Sequence, residues 1–166
     1  MSTVKSILPK TKDDGYFMRE AIKEAKKASL CGEVPIGAVI VDKGKIFARG
    51  HNKRISKNSS IAHAEIETIQ KASKKLGDWR LKDMILYVTV EPCLMCAGAI
   101  IHSRIGRIVY GCNEPKMGAV RSQYKVLNNT NAHHKVDVTP NILEEECKDL
   151  LSKFFKDKRK RGQLIS

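Results

Sequence analysis

The chain has 166 residues, 42% hydrophobic and 30% charged, with 31 basic against 18 acidic side chains and a net charge of +13. That length suits one domain over 1–166 with a sizeable core, its folded body spanning about 14–160. No apolar run approaches the ~18–20 residues of a membrane span, and polar Met1 to Lys12 lacks the apolar centre of a signal peptide, so the expected location is cytoplasmic.

Asp13 or Asp14 is placed to cap a helix whose apolar side runs Phe17, Ala21, Ala25 and Ala28, with Gly32 as its stop. Val34 to Val41 is a continuous apolar run and reads as a buried strand. Asp42-Lys43-Gly44-Lys45 carries turn chemistry, and Ile46 to Gly50 returns as the second strand of a hairpin. From Ile61 to Leu76 the apolar period becomes helical, with Ser59 and Ser60 as caps and Gly77 as the end. Met84 to Val90, rich in β-branched residues, predicts a strand. A helix from Cys93 to about His102 and a strand over Arg107 to Cys112 follow. Asn113 to His134 reads as a loop or short helix, and Lys135 to Val138 as a fifth, short strand. Pro140 opens a helix reaching about Lys160. Strands alternating with helices after a hairpin predict an α/β fold, a mixed sheet with helices on both faces.

Five cysteines, an odd number at uneven spacing, do not form a disulfide framework. Two of them belong to the pattern that carries chemistry, His63-Ala64-Glu65 followed by Pro92-Cys93-Leu94-Met95-Cys96. One imidazole and two thiols suit zinc, and a catalytic zinc keeps three protein ligands and leaves its fourth position to water. A structural site has no need of Glu65, whereas hydrolysis needs a group that moves protons. A thioredoxin-like reading of Cys93 and Cys96 leaves His63 and Glu65 unexplained. A closed zinc site needs a fourth ligand from His102, Cys112 or Cys31; His102 lies about two turns below Cys96 and Cys112 ends a strand, so neither of these is placed to join.

The spacing sets a geometric condition. Cys93 and Cys96 lie one turn apart at a helix start, where Pro92 suits the first turn and partial positive charge favours thiolate. His63 and Glu65 are separated by about 200° on a helix and cannot share a lateral face. Both reach one site only at the helix's N-terminal tip. Two helix tips are therefore expected to converge on one zinc per subunit.

The basic excess attracts polyanions, nucleic acid first among them. It concentrates at the C-terminal helix end, 153–161, in Lys153, Lys156, Lys158, Arg159, Lys160 and Arg161. Phe154 and Phe155 stand beside these, one suited to the core and one to a base.

With these residues in hand, the chain resembles the bacterial tRNA adenosine deaminases of the zinc-dependent cytidine and deoxycytidylate deaminase superfamily. The zinc pattern marks only the superfamily. The flanking blocks, Gly32 to Ala38, His51-Asn52, Ala62 to Glu65, Leu86 to Ala99 and His102 to Ile105, resemble the tRNA branch. The resemblance covers roughly Asp14 to Lys160. It implies a three-layer α/β/α fold with a central mixed five-stranded sheet, cytidine deaminase-like, and a homodimer. It implies zinc on His63, Cys93 and Cys96, Glu65 as proton shuttle, and the wobble adenosine of a tRNA anticodon stem-loop as substrate, converted to inosine. Asn52 would bond the purine, although by itself it reads as a turn residue ending a strand. Glu114 and His134 fall where the family borders RNA, and Phe155 and Arg159 lie on the basic helix. Ser60-Ile61 stands where Pro-Thr is common, Glu114 where Asp is frequent, and Arg121 where Gly is usual. The last two departures fall in the substrate-facing loop. A free-base or nucleoside deaminase for guanine or cytosine, and a non-catalytic zinc module that binds RNA, are the competing readings.

Overall fold

Asp13 caps the first helix, its carboxylate accepting the Tyr16 amide at 2.8 Å. This helix, α1 (Asp14–Leu30), stops where Gly32 turns left-handed at φ 75°. There the Glu33 amide bonds the Ala28 carbonyl and the Gly32 amide bonds Ser29, the paired closure of a Schellman end. The computed structural model describes residues 13–128 and 131–162. The expectation for Met1 to Lys12 lies outside the described residues.

Beyond α1 come β1 (Gly37–Asp42), β2 (Lys45–His51), α2 (Ala64–Leu76), β3 (Ile85–Val90), α3 (Leu94–His102), β4 (Arg107–Cys112), β5 (Asp137–Thr139) and α4 (Glu144–Lys160). The sheet order is β2-β1-β3-β4-β5, antiparallel through β3 and parallel from β3 to β5. Side chains alternate across it. Ile40, Leu86, Val88 and Ile108 pack with α2 and α3 on one face. Val39, Val41, Tyr87 and Val109 pack with α1 and α4 on the other. The α/β/α layering and the five-stranded mixed sheet expected from the sequence are those observed.

Several boundaries differ, each for a local reason. Strand β1 begins at Gly37, not Val34, because pairing with β2 starts at Gly37–His51. The preceding residues turn instead, the Ile36 amide bonding the Val34 carbonyl. Helix α2 begins at Ala64; Ser59 and Ser60 lie in turns before it and do not cap it. Strand β5 lies further along than expected, its three residues pairing with Arg107 to Val109. Helix α4 starts at Glu144 rather than at Pro140. Asn141 and Leu143 take positive φ while the Ile142 amide docks on the Tyr110 carbonyl, and that docking delays the helix.

The open edge β2 is covered from α2. Lys71 and Lys75 donate to the Arg49 and Phe47 carbonyls, at 2.9 and 3.1 Å, which blocks strand addition there. Helix α1 is tied to the same strand by buried carboxylates. Glu20 meets Lys23 and Arg49 at 2.6 and 2.7 Å, and Glu24 meets Lys27 and His51 at 2.7 and 3.3 Å. Lys23 and Arg49 hold the Glu20 carboxyl below its ordinary value. Burial opposes ionisation of Glu24, but Lys27 and His51 outweigh it and lower that carboxyl as well. A depressed carboxyl contributes its stability above the unfolded pKa and loses it as pH falls through the folded one. Thermal stability is therefore expected to fall below about pH 4.5. The E20Q/E24Q double variant should show a shallower fall in a Tm-against-pH series; an unchanged slope removes this pair as the cause.

Candidate metal centre

Two helix N-termini build the site. Strand β3 ends at Val90, and Glu91-Pro92 carries the chain to Cys93, which is the N-cap of α3 rather than its first helical residue. Pro92 thus precedes the cap instead of sitting in the first turn. His63 is likewise the N-cap of α2. Neither side chain caps its own helix; they turn towards each other. The Nδ1 of His63 lies 3.6 Å from the Sγ of Cys93 and 3.6 Å from that of Cys96.

That spacing tests the fit of a metal. Bonds of about 2.3 Å to sulfur and 2.05 Å to nitrogen, at the tetrahedral angle, separate the two donors by about 3.6 Å. All three donor atoms lie within 4.8 Å of one another, the one such group of His, Cys, Asp and Glu among the described residues. His63 and Cys93 are half-buried and Cys96 is buried, so the triad is partly accessible to solvent. The donor set fits zinc with three protein ligands. Cys112 is buried apart from it and Cys31 is exposed; neither joins.

Glu65, in the first turn of α2, is buried beside the triad and not part of it. Its carboxyl meets the Cys96 thiol. Burial pushes it up to about 7, against the pull of its own backbone amide and the His63 imidazole. A carboxyl that takes and gives protons near neutral pH suits general acid–base work. The thiols are strongly coupled. Bonds from the Cys96 thiol and from His63 bring Cys93 down to about 4, and the bond to Cys93 together with burial raises Cys96. Hydrogen bonding to Cys93 raises His63.

The other residues singled out from the sequence are distributed unevenly. Asn52 is buried just past β2, its Nδ2 donating to the Val34 carbonyl at 3.3 Å and its Oδ1 accepting the Arg54 amide at 3.2 Å. Glu114 is half-buried in the loop after β4, its carboxylate accepting the Lys116 amide. His134 stands apart from the triad. Its Nε2 bonds the Ile105 carbonyl at 2.7 Å, ahead of β4, whereas Cys93 follows the end of β3. With β3 and β4 parallel, these are opposite sheet ends, about 20 Å apart along a six-residue strand. Phe154 packs inward under Phe155, which is half-buried, and Arg159 is exposed in the last turn of α4. A cleft of about 570 Å³ between the ends of α1 and α4 is lined by Lys26, Lys153, Lys158 and Arg161 over Leu150 and Phe154. Gly32 also lines it, one residue before Glu33.

Two carboxylates had no role in the sequence reading. Glu33 accepts the Ile55 and Ser56 amides at 3.1 and 2.7 Å and pins the loop that leads to His63. Glu91, beside Pro92, accepts five bonds from the loop after β4. Burial opposes its ionisation, but Ser122 and the loop amides prevail and hold it low. The available signal was a single carboxylate flanking an apolar strand directly before Pro-Cys.

A family profile described as MafB19-like deaminase matches residues 12–159. The tRNA-specific adenosine deaminase of Bacillus subtilis (strain 168) is 50% identical over 148 residues, 89% of this chain and 92% of that one. A solved structure from work on A-to-I editing by tRNA:A34 deaminases at the wobble position is 44% identical, with a TM-score of 0.79, and covers 82% of this chain and 99% of its own. The guanine deaminase structure from Bacillus subtilis follows at 31% identity and a TM-score of 0.61, covering 89% and 95%. Nearly the whole chain is accounted for in this way, and it belongs to the MafB19-like deaminases, in the group of the tRNA-specific adenosine deaminases.

Proposed function

We propose that the protein hydrolytically deaminates the wobble adenosine of a tRNA anticodon to inosine, releasing ammonia. The observation that carries the chemistry is the buried Glu65 carboxyl beside an open three-donor set. The high identity to tRNA-specific adenosine deaminases supports the substrate.

His63, Cys93 and Cys96 would hold zinc, which when bound would supply water activated for attack at neutral pH. Glu65 accepts the proton of the attacking water as the C6–O bond forms and delivers it to N1 of the adenine. It then takes the proton of the new C6 hydroxyl and passes it to the 6-amino nitrogen, and the C6–N bond breaks to release ammonia and leave the C6 carbonyl of inosine. One carboxyl thus serves both transfers. Asn52 retains one amide N–H and spare carbonyl capacity towards the purine.

The base must leave its stack to reach the triad, and a loop nucleotide is the cheapest to splay out. Cationic side chains of the α1–α4 cleft, with Arg159, take the phosphates, and half-buried Phe155 offers a stacking face. With about four phosphate contacts, log K for the anticodon stem-loop should fall with log salt at a slope near −3. A flat titration points to a small-molecule substrate instead. This work on tRNA belongs to the cytoplasm.

The deciding assay gives the zinc-loaded protein an anticodon stem-loop with a wobble adenosine and, separately, free adenosine, cytidine and guanine. Inosine is expected in the RNA alone. Ammonia from guanine alone overturns the reading in favour of the guanine branch.

A homodimer completes it. Helix α3 carries no Asp, Glu, Lys or Arg, and Leu94 and Gly98 share one outward face at i and i+4, with half-buried Ile101 at its edge against the core. Leu94 is 48% exposed, Ile61 54% and Met117 55%, while the space above Gly98 is open. The wild type should run at twice the chain mass by light scattering and Leu94→Glu at one. A monomeric wild type rejects the dimer.

A further inference from the structure

We infer that Glu91 is a positioning residue for substrate affinity: its carboxylate holds the 114–122 loop as one wall of the RNA-facing opening beside the metal triad. The inference rests on the RNA reading above.

Glu91 is 3% exposed, and its oxygens bind both ends of one loop. Its Oε1 accepts the amides of Val120, Arg121 and Ser122 at 3.1, 2.7 and 2.9 Å. Its Oε2 accepts the Glu114 amide at 3.0 Å and the Ser122 hydroxyl. None of these five donors is a cation. The carboxylate plays the part that a bound anion plays in a backbone nest, except that the chain supplies it internally.

The loop it holds lies against the metal ligands. Gly118 forms a β-bridge with Cys93, and the Ala119 amide donates to the Pro92 carbonyl at 2.9 Å. A Cβ on Gly118 would lie 2.5 Å from the Glu91 carboxyl and 2.5 Å from the Glu114 carbonyl. No side chain fits between loop and carboxylate. The loop therefore closes on Glu91 at van der Waals distance, with the backbone amides of its two ends on different oxygens.

Two of the loop residues whose backbone Glu91 grips carry charged side chains, Glu114 with its carboxylate on the Lys116 amide. Glu114 is half-buried and Arg121 exposed. With exposed Lys116 between them, these are the charged groups a docked phosphate chain meets at this wall. Glu91 touches neither substrate nor metal; it acts through them. Its loss leaves the Glu65 and zinc chemistry in place and scatters the groups that receive RNA.

Two substitutions test this by different routes. In E91Q the amide oxygen still accepts the three amides of Val120 to Ser122, but the new NH2 faces the Glu114 N–H and cannot accept it. Gly118→Ala leaves the charge alone and drives a methyl against the carboxylate. Both are compared with wild type for zinc content, for amide exchange across 114–122, and for kcat and KM on the anticodon stem-loop. Zinc stays at one per chain, exchange quickens at Glu114 in E91Q, and KM rises about tenfold in each variant at unchanged kcat. Ser122→Ala, which removes one of the five bonds, shows the same direction at smaller size and secures the test if either variant folds poorly.

Unchanged KM with quickened exchange overturns the inference, since the loop then does not bear on RNA. Loss of zinc and of kcat together also overturns it, because Glu91 would then support the metal. Failure of the wild type on the stem-loop is a different result and rejects the RNA reading itself.

Discussion

Glu65→Gln is expected to retain one zinc per chain and to lose turnover by at least about 10³-fold. Glutamine is isosteric and preserves the packing of the first turn of α2, where Glu65 is 4% exposed. The three donors that fit the metal do not include it. What disappears is a group able to accept a proton at one step and give it up at the next. In the metal-free chain the same substitution should raise Tm at neutral pH. A carboxyl whose proton affinity burial has raised costs stability wherever its unfolded counterpart is ionised. Metal analysis and single-turnover inosine formation, on one preparation, separate the two effects. Normal turnover in E65Q removes Glu65 from the mechanism; loss of zinc makes it a ligand.

Cys96→Ala has the opposite signature. Cys96 is buried in the first turn of α3, 3.6 Å from the His63 ring nitrogen, and an alanine leaves two donors on adjoining helix tips. Zinc affinity should fall by more than the roughly 100-fold that loss of a supporting residue alone produces. Turnover and thermal stability go with it, because metal binding free energy is also folding free energy at such a site. Competition against a chromogenic chelator measures the first quantity and thermal melting the second. Cys31→Ser is the control: Cys31 is exposed at the end of α1 and should leave zinc content unchanged. Full zinc occupancy in C96A contradicts the donor set.

Much of the architecture was legible because local rules and tertiary packing agree. Asp13 caps α1, Gly32 ends it, and Arg107 to Cys112 is β4 to the residue. Boundaries failed where a distant partner claimed the backbone. Val34 to Ile36 has strand composition but turns, with Asn52 taking the Val34 carbonyl and its amide the Ile36 carbonyl. Asn141 to Leu143 departs from helix because the Ile142 amide is bonded to Tyr110. His134 lies in the loop after β4, and only the tertiary structure showed that its ring nitrogen bonds the Ile105 carbonyl.

The sequence by itself determined the reaction class. His63, Glu65, Cys93 and Cys96 are the right groups for a hydrolytic zinc, and a two-residue spacing on a helix admits one meeting place, the helix tip. That condition is local geometry, so no knowledge of the fold was needed to state it. Tertiary structure alone decided how the tips face each other, with both N-cap side chains turned from their own helices to a common point. It also decided the roles of Glu33 and Glu91. Their partners lie 22 to 31 residues away in sequence. Most of those partners are backbone amides, which every residue but proline carries, so no spacing or residue type marks them.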